Sequence, residues 1–533
     1  MYSYTILNVV YIKGDYIMNK TLILSLAASV LLTTNVSAES MFERFQAMEN
    51  EMASLKKEIA TLKIEKALKV NVKKSDDSEA VDSEDEDEEK ATNKEEDGED
   101  EEKMDVEEEI AYMQDSISEL NKATSGSHLK FGVDYRFALE NLSYEMADGS
   151  EASNDAYMTN RLWINMDWKA TDNLSFSGQL AYNKMFGQRS VDYTTTGLES
   201  FDWTSNENSY DDTIRVRNAY FLYRNDTFVG TDIPWTFSIG RRPSTNGHLI
   251  NMRDDDKAAS PMGHSINVEF DGLSSKFSFN KYVDGMYVKF CAGRGMSNAS
   301  AKYSSTPYAT DSDKNTAIDL AGLIFIPYND GQYSFGTLYY YANNLIDAVD
   351  ATDYTKGFDT VGGMHSMTAN FVVNGIGNGI TDFLDETTFF ASAAMSITNP
   401  SSGESMLGSE NALTGTSYWV GTQFPSLVTE DGRWGLEYNH GSKNWRSITY
   451  GEDTNIGSKI AARGDAFEAY MTEYLVEDIL SLQIRYTYID YEYTGSNGFF
   501  GDETGTPYKI SDMSSGNVVD KAQDIRFYLR YKY

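Results

Sequence analysis

Cysteine is almost absent from this chain. Cys291 stands alone in 533 residues, so no intrachain disulfide can form. It falls in a candidate strand and reads as a buried or lipid-facing thiol rather than a catalytic one. Proline is scarce, at eight. No apolar run reaches 18 residues, which excludes a membrane-spanning helix. A β-barrel escapes that exclusion, because only every second residue of its strands must be apolar. Positive charge is also short: 45 Lys and Arg face 82 Asp and Glu, a net of −37. Nucleic-acid binding needs a basic surface to neutralise phosphates and is excluded on this balance. The five histidines, His128, His248, His264, His365 and His440, are scattered and lack metal-ligand spacing. No nucleophile elbow, phosphate loop or zinc motif occurs, so neither enzyme activity nor a metal or cofactor is expected. What the chain has in quantity is aromatic and turn-forming: 36 Tyr, 26 Phe and 40 Gly.

The last twelve residues read AQDIRFYLRYKY. Ile525, Phe527, Leu529, Tyr531 and Tyr533 alternate with Asp524, Arg526, Tyr528, Arg530 and Lys532. A period of two is a strand whose two faces see different surroundings. An apolar face carried through to a terminal aromatic (Phe527, Leu529, Tyr531, Tyr533) resembles the C-terminal insertion signal of bacterial outer-membrane barrels. That resemblance implies barrel-assembly machinery, outer-membrane lipid and lipopolysaccharide as partners.

The N-terminal quarter has a different texture. Lys20, the apolar run 22–32 and the small-residue site ending at Ala38 form a signal peptide within a 1–38 leader, with Met18 as the expected true start. Residues 39–74 follow as a coiled coil. Its seam is Met41, Phe45, Met48, Met52, Leu55, Ile59 and Leu62, spaced alternately by four and three. Such a seam needs a partner strand, and a homo-trimer would suit a barrel protein. Residues 75–105 are an acidic linker. Ser75 to Glu109 carries 21 acids and three lysines, too much like charge to bury a core. A solvated spacer is the plain reading of this tract; binding of divalent cations or a basic periplasmic partner is the sharper one. A short helix and linker complete the region over 106–126.

From Leu129 onward the period is two. Leu129, Phe131, Val133, Tyr135, Phe137 and Leu139 share one face, and Lys130, Asp134, Arg136 and Glu140 the other. A strand near 158–168 follows, then a tight turn at 170–173 and a strand over 174–185. Connections alternate in length. Short joins fall near 327–331, 374–381 and 476–478, and long ones near 343–360, 398–415, 443–463 and 495–521. Outer-membrane barrels segregate their loops in this way. Reading 265–279 as one strand, with a turn at 282–285, yields sixteen strands with both ends periplasmic; eighteen is the alternative. Trp168, Trp235, Trp434 and Tyr533 fall at periplasmic ends, as an aromatic girdle would, and Tyr339, Tyr340 and Tyr341 toward an outer end. The expected fold is therefore an all-β transmembrane antiparallel β-barrel over 127–533, with an N-terminal α-helical coiled coil and an acidic linker before it.

The candidate site is the lumen. By parity Lys130, Arg136, Arg161, Arg485, Arg526, Arg530 and Lys532 face inward on the first two and last two strands, which become neighbours on closure. They would form one basic wall, which Arg215, Arg217 and Arg242 extend, or would instead pair with inward acids such as Asp134, Glu140 and Asp167. The third long loop, about 244–263, carries Asp254, Asp255 and Asp256. In sixteen-stranded general porins that loop folds inward and faces a basic wall, and this chain looks similar. The segments IGRRPSTNG (239–247), VEFDGL (268–273) and GLEYNHGS (435–442) resemble an uncharacterised porin-like outer-membrane family of epsilon-class proteobacteria. The resemblance covers about 127–533. It implies a Gram-negative outer-membrane location, the N-terminal region in the periplasm, and passive diffusion of ions and small hydrophilic solutes. An envelope tether reaching peptidoglycan, or a substrate-specific transporter, are the other expectations to weigh.

Overall fold

The computed structural model describes residues 129–186, 214–243, 247–296, 299–301, 308–310, 317–350, 356–449, 454–496, 498–501 and 504–533. The leader, coiled-coil seam, acidic linker and short helix expected over 1–126 lie outside the described residues. The remainder forms a closed antiparallel β-barrel of sixteen strands in sequence order. These are β1 Lys130–Met146, β2 Glu151–Lys169, β3 Leu174–Met185, β4 Arg215–Asn225, β5 Trp235–Pro243, β6 Glu269–Ser278, β7 Tyr287–Met296 and β8 Ile318–Asn329. They continue as β9 Tyr333–Ala348, β10 Phe358–Asn374, β11 Thr388–Pro400, β12 Thr414–Pro425, β13 Arg433–Gly441, β14 Gly464–Val476, β15 Leu480–Tyr491 and β16 Val519–Lys532.

The seam between β1 and β16 runs from Asp134↔Lys532 to Met146↔Val519. Tyr533 extends it: its backbone N–H donates to Val133 O at 2.8 Å, and Val133 N–H donates to Tyr533 O at 2.7 Å. The strand starting at Lys130 and the strand ending at Lys532 thus meet at one end of the barrel, here the terminal end.

Period two decides the two surfaces. Phe131, Phe290, Leu436, Phe467 and Ile525 are exposed on the outside, and Leu436, Phe467 and Ile525 are each flanked by buried inward neighbours. A continuous exposed apolar band is unfavourable in water and suits a bilayer. Trp168, Trp235, Trp434 and Tyr533 all sit at the terminal end, in or just beyond their strand ends. Tyr339–Tyr341 depart from expectation. They fall midway along β9, and Tyr340 turns inward, where its hydroxyl donates to Ser265 O at 3.0 Å.

Two boundaries differ from the sequence reading. The first distal connection is only residues 147–150, because the polar stretch Glu151–Asp155 continues β2 beyond its apolar part. Alternation of apolar residues marks where a strand meets lipid, not where backbone pairing stops. The segment 265–268, expected as the start of β6, instead belongs to the third distal loop and packs inside the barrel.

Candidate functional site

The lumen is built from inward strand residues and from distal loops folded down onto them. The third distal loop (244–268) leaves the distal end of β5 and descends along the opposite wall, with one helical turn at Ile250–Arg253. Apolar contacts place that turn: Leu249 and Ile250 cluster with Val372, Phe390, Trp419 and Ile460. Polar contacts then fix its depth. Gln423 Nε2 donates to Met252 O at 2.6 Å and Gln483 Nε2 to Arg253 O at 2.8 Å.

Arg253 is buried and pairs with Glu468 of β14 at 3.2 Å. Glu468 is the hub of this anchor. It also binds Lys459 from the seventh distal loop, accepts from Thr487 Oγ1 at 2.9 Å, and lies 3.9 Å from Arg485. Lys459 reaches Glu437 on β13 at 2.6 Å, whose carboxylate also accepts from Trp419 Nε1 at 3.0 Å. Charges this deep persist only when paired and hydrogen-bonded.

The three aspartates lie inside the barrel at its terminal end. Asp254 accepts from Tyr528 Oη at 3.0 Å, and its carbonyl accepts from Arg530 at 3.2 Å. Asp255 accepts from Tyr474 Oη at 2.5 Å. Asp256 binds Arg530 at 2.9 Å and Lys532 at 2.5 Å.

The cations named from sequence are brought together, interleaved with acids. Arg136 stands in register with both Arg161 and Arg530, and Arg485 with Arg526. Asp134 bridges Arg161 at 3.2 Å and Arg530 at 2.6 Å. Arg526 binds Glu140 at 2.9 Å and lies 3.5 Å from Asp524. Arg136 stacks over the Tyr528 ring at 5.4 Å, and Lys130 lies exposed at the start of β1. Asp134 and Glu140 thus act as the pairing acids anticipated for this wall; the ion pairs of the described residues do not include Asp167.

The loop returns through His264, which is fully buried. Its Nδ1 lies 2.8 Å from Ser392 Oγ and its Nε2 2.9 Å from Ser417 Oγ. Burial drives its pKa down to about 3, so the ring is neutral. Next, Ile266 forms a parallel bridge with Ile448 of the seventh distal loop. That loop is joined to the eighth by two buried arginines. Arg446 donates to Gly495 O at 3.1 Å, and Arg463 to Thr494 O at 2.7 Å and Gly505 O at 2.8 Å. The third, sixth, seventh and eighth distal loops meet β8–β10 in one apolar cluster holding Met262, Ile266, Met406, Ile448, Phe499 and Phe500.

The loops therefore cover the inside of β8–β16. The inward rows of β2–β7 carry Arg161, Arg217, Arg242, Lys276 and Lys289. Arg161 and Arg217 stack on the Trp163 ring, at 3.6 and 4.2 Å from its centroid. Lys276 and Lys289 were missed from sequence, although the same parity rule places them inward. Cys291 also points inward, opposite Ser274, and so is not lipid-facing.

Comparison with known proteins adds the following. No curated protein matches the sequence. Among solved structures the chain is similar to OmpT, an outer membrane protein of Vibrio cholerae, at 13% identity, covering 76% of this chain and 97% of that one with a TM-score of 0.40. It is likewise similar to Salmonella typhi OmpF in complex with daunomycin (14% identity, 77% and 99% covered, TM-score 0.41). A high-pH structure of Pseudomonas putida OprB is also similar (11% identity, 78% and 96% covered, TM-score 0.42). A family model, described as "Protein of unknown function (DUF3373)", matches residues 151–533, nearly the whole barrel, and the chain belongs to that family.

Proposed function

We propose that the protein is an outer-membrane porin passing ions and small hydrophilic solutes, with passage rather than catalysis as its role. The observation that carries this reading is the third distal loop. It is anchored across the lumen onto β12–β16 while the facing β2–β7 wall keeps a polar, cationic inner surface. A barrel apolar outside and polar inside belongs in a bilayer, and the short turns at the terminal end suit the periplasm. The N-terminal region then lies in the periplasm, where the coiled-coil seam would trimerise the chain. The distal end faces outward, toward lipopolysaccharide. Arg530, Lys532, Tyr528 and Tyr474 hold Asp254–Asp256 in place, so the aspartates serve as loop anchors more than as an acidic face of the pore. The field along the passage then comes from the β2–β7 cations and favours anions.

The density of inward-packed loops favours, as a second reading, a narrow substrate-specific channel over a wide general one. Single-channel recording in planar bilayers, with reversal potential under a salt gradient, separates these. Steady large steps with anion preference support a general pore, and small ligand-blocked steps a specific one. Silence from correctly folded protein refutes both.

A further inference from the structure

We propose that the lumenal cavity between the third distal loop and β6–β9 binds a small organic anion: a carboxylate head joined to an apolar body. The inference rests on the channel reading and names the solute class of that channel.

The first observation is one of register. Lys276 and Lys289 are directly opposed on β6 and β7, and both line the same cavity of about 330 Å³. Like charges directly opposed on neighbouring strands destabilise a sheet. The Lys276 ammonium sits over the Tyr287 ring at 4.0 Å, which offsets part of that repulsion. The inward rows here read Thr236, Ser238, Gly240 and Arg242 on β5, Phe270, Gly272, Ser274 and Lys276 on β6, and Tyr287, Lys289, Cys291 and Gly293 on β7. None is acidic, whereas on β1 and β14–β16 acids sit between the cations. Above the lysines, Arg242 Nη1 donates to Ser274 Oγ at 2.7 Å. Three cations therefore run along one track, from the distal part of β5 to the lysine pair.

The second observation is the rest of the cavity. Ile324, in register with Lys289, and Ile326 flank the lysines from β8, and the loop adds Met262, with His248 as a polar neighbour. Burial lowers the His248 pKa, so it offers a neutral ring rather than further charge. A small hydrated inorganic anion would leave the apolar side unused. A carboxylate on a compact apolar body matches both sides and fits the volume range of small-molecule sites. An ammonium–carboxylate contact is a charge-assisted hydrogen bond, about twice as strong as a neutral one.

The test uses the full mature chain folded in detergent, with benzoate as probe, benzamide as its uncharged analogue and inorganic phosphate as the anion without an apolar body. Binding is followed by calorimetry, and the same preparation is recorded in bilayers. Benzoate is expected to bind saturably and to block potassium chloride current, with benzamide and phosphate giving neither effect. Lys276→Gln and Lys289→Gln should each weaken benzoate roughly tenfold or more. Ala258→Asp, at an exposed cavity-lining position, puts a carboxylate near the lysines without touching the wall, and should abolish binding. Conducting channels without saturable benzoate binding overturn this inference and leave the porin reading intact. Saturable binding without conductance does the reverse. Equal binding of phosphate, or of benzamide, overturns the assigned class on the unmutated protein alone.

Discussion

Replacing Glu468 with Gln should release the third distal loop. In the native protein this carboxylate faces Arg253 of that loop, Lys459 of the seventh distal loop and Arg485 of β15, all buried. The amide keeps the shape and one hydrogen-bond acceptor but leaves three cations with less countercharge. Removing one partner of a buried ion pair costs about 3–5 kcal/mol. At 1.36 kcal/mol per factor of ten, this lowers the docked-to-undocked ratio roughly a hundred- to several-thousand-fold. The remaining anchors, from Gln423 and Gln483 to the loop carbonyls and from Arg530 and Lys532 to Asp256, set where that ratio starts. The assay is limited trypsin digestion of the folded barrel, following cleavage after Arg253, which is 1% exposed. When opening is fast relative to cutting, the rate reports the open population, so cleavage should rise by a comparable factor, with larger and noisier single-channel steps. Glu473→Gln is the control, since Glu473 binds Ser426 and Trp434 instead. If Arg253 in a folded Glu468→Gln barrel resists trypsin as well as the parent does, Glu468 is not the anchor argued for here.

Other outcomes are expected. Because His264 holds a pKa near 3 against an ordinary 6.5, the docked loop takes up fewer protons than the released one between those values. Docking should therefore weaken as pH falls from about 6.5 toward 3, read as a change in emission from Trp419 and Trp445, whose rings lie 5.7 Å from the imidazole. A His264→Asn variant with an unchanged acid profile would assign the effect elsewhere. Cys291 should react with a small water-soluble thiosulfonate and reduce conductance; labelling by membrane-soluble reagents alone would put it on the lipid side. Deleting Tyr533 removes two backbone hydrogen bonds of the closing seam, about 1 kcal/mol each, along with the terminal aromatic. The folded, heat-modifiable fraction should fall, and an undiminished yield would deny the residue a role in insertion.

How much of this was legible beforehand varies with the kind of signal. Period-two patterning around Leu129–Glu140 and Ile525–Tyr533 reports the environment of each face, so the barrel class and inward parity followed from it, while the count of sixteen came from the alternation of short and long connections. Strand length beyond the bilayer did not, as β2 shows, because polar residues pair as readily outside lipid. The inward cations of β1, β2, β15 and β16 were legible, but their partners were only partly so. Asp134 and Glu140 lie on the same strand rows. Arg253, Lys459 and Glu468 come together only through folding, the first and last separated by 215 positions. Lys276 and Lys289 carried the same parity signal as the cations that were named.

That separation also has a temporal meaning. The third distal loop is made from residues 244–268, whereas its seats on β14, β15 and β16 are the last barrel strands in the chain. Arg530 and Asp254 stand 276 positions apart. The loop's apolar seats on β10–β12 come earlier in the chain, but its charged anchors on β14–β16 do not exist until the sheet has nearly closed, and such distant contacts form late. The expected order in biogenesis is a loop first seated on the middle strands and locked by its ion pairs only as the wall is completed. The last of those locks, Arg530 and Lys532 on Asp256, sits on the strand that also carries the closing seam.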